Sequence, residues 1–320
     1  MSRIEIDEFI LHLATTIREA VRPLLGTRVS KTIVGLSKSG DATYELDRVA
    51  EQIVSETIQA SGLPLSVYSE DEGLVSYHDE PEFVLVIDPV DGTRPAVAGL
   101  ETCCVSVAAA PYGPRPTLGD IQQCCLISIK EGDVFRATRG QGITMTVGGQ
   151  SLPPALSSKP DLDEIFWSFE LAGRPAKPIM EWLGPLIDRT SIAGSAFVFA
   201  SSTYAMTRIV TGRFDAFVDV GARLLGEFPD LEEAFRTAGR GQIIGLFSYD
   251  LAAIAPLLQE AGAVITDAWG RSLDGVSLFD VSSDNIQSCL AAANPELHRA
   301  LLDYLNENIE KMHREKEARL

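Results

Sequence analysis

Phe83-Val84-Leu85-Val86-Ile87-Asp88-Pro89-Val90-Asp91-Gly92-Thr93 is the stretch on which the reading of this chain turns. Five apolar residues in an unbroken run, closed by a Pro-Gly turn signal, predict a short strand buried on both faces. Two acids three residues apart follow at once. Ligands in open α/β folds bind in the crevice outside the carboxyl ends of strands. Carboxylates this close repel unless a cation or a proton lies between them. Asp-Gly-Thr can also open a helix, whose free amides favour a phosphate. By itself the stretch fits a turn with solvent-facing acids equally well.

Two more acidic signals lie on either side. Ser69-Glu70-Asp71-Glu72-Gly73 follows a possible strand at Leu65–Tyr68, and Tyr249-Asp250-Leu251-Ala252-Ala253 opens an apolar helix. Alone, Glu70 reads as a loop acid and Asp250 as a helix N-cap. Together they bring carboxylates from several element ends, which is how a hard cation with oxygen ligands is held. The four histidines, at positions 12, 78, 298 and 313, form no zinc cluster, and His78 reads as a surface residue. No serine sits in a nucleophile elbow.

Composition points the same way. The 320 residues carry a net charge of −18 and are 45% hydrophobic. That length suggests two domains or one large α/β body. So acidic a chain argues against phosphate-driven nucleic-acid binding and against a polybasic membrane contact. A phosphorylated small molecule stays possible if a metal ion supplies local positive charge. No apolar run approaches the ~18 residues of a membrane span. The charged N-terminus, Met1 to Asp7, has no signal-peptide core. Among five cysteines, Cys103-Cys104 and Cys124-Cys125 are adjacent pairs, which a strand would send to opposite faces as buried free thiols. The expectation is a reduced, cytoplasmic protein.

The spacing of Ile6, Ile10, Leu13, Ile17, Ala20 and Leu24 predicts a helix stopped by Pro23 and Gly26, and a second spans Thr43–Ala60. Strands are expected at Cys103–Ala110, Ile121–Ile129 and Val134–Ala137, the last two as a hairpin. A soft boundary at Leu152-Pro153-Pro154 divides a domain 1–150 from a domain 151–320. Beyond it we expect strands at Ile165–Phe169, Phe214–Val220, Val264–Asp267 and Cys289–Ala293. Helices are expected near Met180–Ile187, over Ser195–Thr211 and Leu251–Ala261, and from Pro295 onward. Such alternation reads as layered α/β packing.

The set Ser69-Glu70-Asp71, Asp88-Pro89-Val90-Asp91-Gly92-Thr93 and Asp250-Leu251-Ala252-Ala253 resembles the inositol monophosphatase family, nearest to its archaeal-type members. Supporting likenesses span most of the chain: Asp41-Ala42-Thr43 through Asp47, Gly140-Gln141-Gly142, Gly194-Ser195, and Gly212-Arg213-Phe214-Asp215-Ala216-Phe217. The resemblance implies a layered α-β-α-β-α sandwich, two or three Mg²⁺ ions (Mn²⁺ as a substitute) and a homodimer. It implies a phosphatase acting on a small phosphorylated polyol or sugar, inositol monophosphate or fructose 1,6-bisphosphate. The alternatives are 3′-phosphoadenosine-5′-phosphate, histidinol phosphate, or a non-catalytic binding protein on the same fold.

Carried over by position, Glu70, Asp88 and the carbonyl of Val90 would hold one ion. Asp88, Asp91 and Asp250 would hold a second, with Asp88 bridging. Gly92 and Thr93 amides would receive the phosphate, and Glu70 with Thr93 would orient the water, assisted by Asp47. Asp91, Gly194 and Ser195 would touch the substrate, and Arg223 and Arg189 are candidate cations, either for the substrate phosphate or for structure. The chain departs from the family in three places. Arg94-Pro95 follows Thr93 where Asn-Phe usually comes after one residue, Asp71 replaces a Glu, and about thirty residues separate Phe214–Val220 from Asp250, which usually follows a Trp. The segment 221–248 is therefore expected to bear on specificity, or else to be a surface or subunit-contact loop.

Overall fold

The computed structural model describes residues 3–318. Helix α1 (Arg3–Val21) is followed by a small hairpin of strands β1 (Ile33–Leu36) and β2 (Ala42–Tyr44), then by helix α2 (Glu45–Ser61). Strands β3 (Leu65–Ser69), β4 (Gly73–Ser76) and β5 (Phe83–Asp91) lead into the short helix α3 (Thr93–Ala98). Strands β6 (Cys104–Pro111), β7 (Gln123–Ser128), β8 (Val134–Thr138), β9 (Gly142–Val147) and β10 (Gln150–Leu152) complete an eight-stranded sheet, ordered β10-β9-β8-β7-β6-β5-β3-β4.

The rest begins with β11 (Phe166–Phe169), α4 (Ala176–Thr190), β12 (Ser195–Phe197), α5 (Ser202–Val210) and β13 (Ala216–Asp219). Helices α6 (Gly221–Glu227), α7 (Glu232–Ala238), α8 (Ser248–Leu251) and α9 (Ile254–Ala261) precede β14 (Val264–Thr266), β15 (Cys289–Ala292) and α10 (Pro295–Glu317). The second sheet runs β12-β11-β13-β15-β14.

The apolar run in β5 shows why two cores form. Leu85 and Ile87 face a core that includes Ile6, Ile10, Leu13 and Ile17 of α1 and Leu46, Ala50, Val54 and Ile58 of α2. Val84 and Val86 face the opposite core, built with Met206 and Ile209 of α5 and Leu257 and Leu258 of α9. Strand alternation makes both assignments from one continuous run. The five-stranded sheet closes the middle core with Phe217, Ala291 and Ile265. Its outer face buries Trp167, Val218, Leu290 and Ala292 against α4 and α10. The order is helices, sheet, helices, sheet, helices, which is the expected sandwich. Cys124 joins the middle core and Cys125 the outer one, and all five cysteines are free and buried.

Two expected helices differ. Ser195–Phe197 is an edge strand paired in parallel with Phe166–Ser168, and the helix begins only at Ser202, where the Ser201 side chain accepts the Tyr204 amide. The aromatic and β-branched run Phe197-Val198-Phe199 favours extended chain, and serine supplies the cap. The helix expected over Leu251–Ala261 is split between α8 and α9. No helix among the described residues is long and apolar enough to cross a membrane.

Candidate active site

Asp88 of β5 lies opposite Ser106 and Asp91 opposite Cys104, so three steps along β5 match two along β6. In a regular strand residues three apart point to opposite faces. The extra residue is a bulge, and it turns Asp91 back toward Asp88. Asp250, from the first turn of α8, meets them. Carboxylate oxygens of Asp88, Asp91 and Asp250 lie within 4.8 Å of one another. Asp88 and Asp91 are only 4% and 3% exposed.

Each acid is held by the element that delivers it. Asp88 accepts the Val90 amide at 3.0 Å. Asp91 accepts the Ser201 hydroxyl and, at 2.9 Å, the Thr203 amide at the start of α5. Asp250 accepts the Phe247 amide at 2.7 Å, so the residue that secures its own helix also faces the pocket. Glu70, in the turn between β3 and β4, lines the same pocket and receives the Ser39 hydroxyl at 3.5 Å. Thr93 donates to Asp47 at 2.9 Å and also lies 3.1 Å from the Val90 carbonyl. Gly92 takes a φ of +87° between them. A Cβ there would come within 2.6 Å of the Thr102 carbonyl and 2.7 Å of Ser201, so only glycine lets the backbone enter.

Burial, then the neighbouring carboxylates, pushes Glu70 and Asp88 well above the usual carboxylate range. Asp250 is raised likewise, by burial first and Asp91 next. Asp91 is raised by burial against the pull of its hydrogen bonds. Asp47 rises to about 7, again chiefly through burial. The two guanidinium groups lining the pocket each pair with a carboxylate outside the trio, Arg94 with Asp41 and Arg174 with Asp219. A carboxylate trio with two members buried and Asp250 half-buried, and no cationic side chain paired to it, fits a divalent cation, and an all-oxygen donor set suits Mg²⁺ or Mn²⁺ better than zinc.

Glu70, Asp88, Val90, Asp91, Gly92, Thr93, Asp47 and Asp250 thus line one pocket. Gly194, Ser195 and Arg223 do not. Gly194 backs against Ile165, where a Cβ would sit 2.1 Å from the carbonyl, and Ser195 heads the edge strand. Arg223 is 4% exposed and donates to the Ala268 carbonyl and to Asn306, at 2.5 and 2.8 Å. Arg189 pairs on the surface with Asp163.

From the same region, Ala200, Ser201 and Ser202 line the pocket. The signal was a serine pair before an apolar helical stretch. Ala200 hid the turn, since it holds a φ of +53° that normally marks glycine. Glu170 and Arg174, also in the lining, follow β11 at its carboxyl end.

The fructose-1,6-bisphosphatase/inositol-1-monophosphatase of Methanothermobacter thermautotrophicus is 28% identical to the chain, over 92% of this chain and 94% of that protein. The protein of the same name from Thermococcus kodakarensis is 25% identical, over 94% and 97%. The structure of an IMPase from Thermotoga maritima superposes with a TM-score of 0.66 at 19% identity, covering 95% of this chain and 98% of that one. With residues 3–310 matched by the model of the inositol monophosphatase family, the chain belongs to that family and is a phosphatase.

Proposed function

We propose that the protein is a Mg²⁺-dependent phosphatase for a small phosphorylated polyol or sugar, with inositol monophosphate and fructose 1,6-bisphosphate as the leading substrates. The observation that carries this reading is the convergence of Asp88, Asp91 and Asp250 beside the Thr93–Asp47 pair. Glu70, Asp88 and the Val90 carbonyl would hold one ion, and Asp88, Asp91 and Asp250 another. Ions bound there supply Lewis acidity toward phosphoryl oxygens and make water a better nucleophile. Phosphate-monoester hydrolysis is among the slowest uncatalysed reactions, so both contributions are needed.

The chain's own residues do the positioning. With its proton directed at Asp47, the Thr93 hydroxyl keeps a lone pair free to accept from the attacking water, and Glu70 orients that water from the other side. The amides of Gly92 and Thr93 face the phosphate. Asp91, Ser201 and Ala200 form the adjoining wall.

The same reading makes residues 1–150 the half that carries most of the site and 151–320 the half that brings Asp250 and the leaving-group side. It also makes the protein a cytoplasmic homodimer. Unbridged buried cysteines support the compartment, and Leu100, Ile192 and Val198 are large apolar side chains left exposed, as a subunit contact would use.

The test is turnover on a panel of phosphate monoesters with Mg²⁺, with and without a chelator. Hydrolysis that needs the metal supports the reading. Full activity after exhaustive chelation, or none on any monoester, refutes it.

A further inference from the structure

Arg94 stands at one of the chain's three departures from its family, and the structure gives it a specific place. It lines the mouth of the active-site pocket with its side chain 43% exposed. Its guanidinium forms a two-pronged pair with Asp41, at 2.9 and 2.5 Å. Asp41 belongs to the loop between β1 and β2. That loop is tied across the pocket by the Lys38 amide, which donates to the Glu70 carbonyl at 3.2 Å. The other lining cation, Arg174, is 6% exposed and spends its donors on both oxygens of Asp219 and on the Ala172 carbonyl. Arg94 is therefore the lining cation that an entering anion can reach.

A planar fork gripping one carboxylate at 2.5–2.9 Å has the geometry that grips a phosphate. We propose that Arg94 is a specificity-determining residue that reads a second phosphate on the substrate, with Asp41 filling the fork until that phosphate arrives. The inference rests on the phosphatase reading above and narrows its substrate class to sugar bisphosphates. The transferred phosphate stays with the carboxylates and the Gly92–Thr93 turn. The spectator phosphate exchanges with Asp41 at the mouth.

Fructose 1,6-bisphosphate and fructose 1-phosphate make a matched pair, differing only in the spectator phosphate. The wild type is expected to favour the bisphosphate in kcat/KM by about ten- to a hundredfold, the range of hydrogen bonds to charged groups. Arg94→Gln should erase that preference by raising KM for the bisphosphate while leaving kcat/KM for fructose 1-phosphate unchanged. Asp41→Asn, which frees the fork but still accepts the Ala42 amide, should lower KM for the bisphosphate.

Opposite effects of the two variants separate phosphate reading from a latch, because breaking a latch from either side moves both substrates in one direction. Equal losses on both esters in Arg94→Gln, or a wild type that treats them alike, overturn the inference and leave the phosphatase reading intact. Turnover of inositol 1-phosphate with neither fructose ester hydrolysed does the same. A wild type inactive on every monoester removes both.

Discussion

Thr93 donates its hydroxyl proton to Asp47 across 46 residues of sequence, and Asp47 in turn accepts the Tyr44 amide at 2.8 Å. The acid that starts helix α2 therefore fixes which way the Thr93 lone pairs point. Thr93→Ala should lower kcat by about a hundredfold or more, the low end for a group that handles a proton, with KM little changed. Asp47→Asn keeps an acceptor and should cost less. If Thr93→Ala raises KM alone, Thr93 binds substrate and does not orient water.

Asp88 is the acid that the charges of Glu70, Asp91 and Asp250 all crowd. Asp88→Asn removes one of those charges, so the metal-free variant should melt higher than the metal-free wild type. It should also lose most of the melting rise caused by Mg²⁺ and most of the turnover. A scan of both proteins with and without Mg²⁺ checks all three. Unchanged turnover or an intact Mg²⁺ shift would contradict the bridging role.

Glu51 offers a stability test away from the proposed ligands. It is 8% exposed, one carboxylate oxygen has no hydrogen-bond partner, and burial pushes its carboxyl up to about 8. Between its ordinary value of 4.5 and about 8 the folded state holds a proton that the unfolded chain has released. Stability should therefore fall as pH rises through that window, by up to about 1.4 kcal/mol per pH unit for this group. Below the window the penalty is absent. Glu51→Gln should flatten the pH dependence and unfold later than the wild type at pH 8. An identical pH slope in chemical denaturation would show that Glu51 is ionised when folded.

Ala200 holds a left-handed backbone at the pocket wall. That conformation costs an L-residue about 1–2 kcal/mol, against the roughly 0.5–1 kcal/mol of extra chain entropy that glycine loses on folding. Ala200→Gly should thus stabilise the protein by about 0.5 kcal/mol in urea denaturation. A loss of stability would mean that the Ala200 methyl contributes packing that outweighs the backbone strain.

Much of this molecule was legible along the chain because its signals are local. The run at Val84–Ile87 read as a strand buried on both faces and the stripe from Ile6 to Ile17 as a helix, and the structure packs the two together. The acids at 70, 88, 91 and 250 were visible as element ends. What the chain hid was three-dimensional. The bulge between Asp88 and Asp91 is marked only by Pro89, which inside a central strand signals a bulge but reads along the chain as a turn signal, and it decides that both acids face one pocket. Gly194-Ser195 looked like a site turn because it carries the expected residue types. The turn that lines the pocket is Ala200-Ser201, where Ala200 takes a positive φ without being glycine. Arg223 read as either a phosphate or a structural cation, and only its partner Asn306, 83 residues later, makes it structural.

The segment between β13 and α8 is not the surface loop that one expectation made it, and its bearing on specificity is the part to test. Leu224 of α6 and Phe235 of α7 are buried in the core under α4 and α10, so cutting the segment to a short turn would strip that core and say nothing of specificity. Its far end, Ile244-Gly245-Leu246, lines the active-site pocket beside Ala172 and Arg174. Ile244 also packs where Gly173 leaves no room for a side chain, since a Cβ there would lie 2.5 Å away. Truncating one apolar wall residue on the leaving-group side is the sharper experiment. Ile244→Ala should shift relative kcat/KM among sugar and polyol phosphates by roughly tenfold, the low end of what apolar pocket contacts discriminate. The Mg²⁺-linked melting rise should stay as in the wild type, because no carboxylate is touched. An altered ranking with intact metal response assigns the end of this segment to substrate choice. The same ranking in both proteins would leave it a purely structural connection.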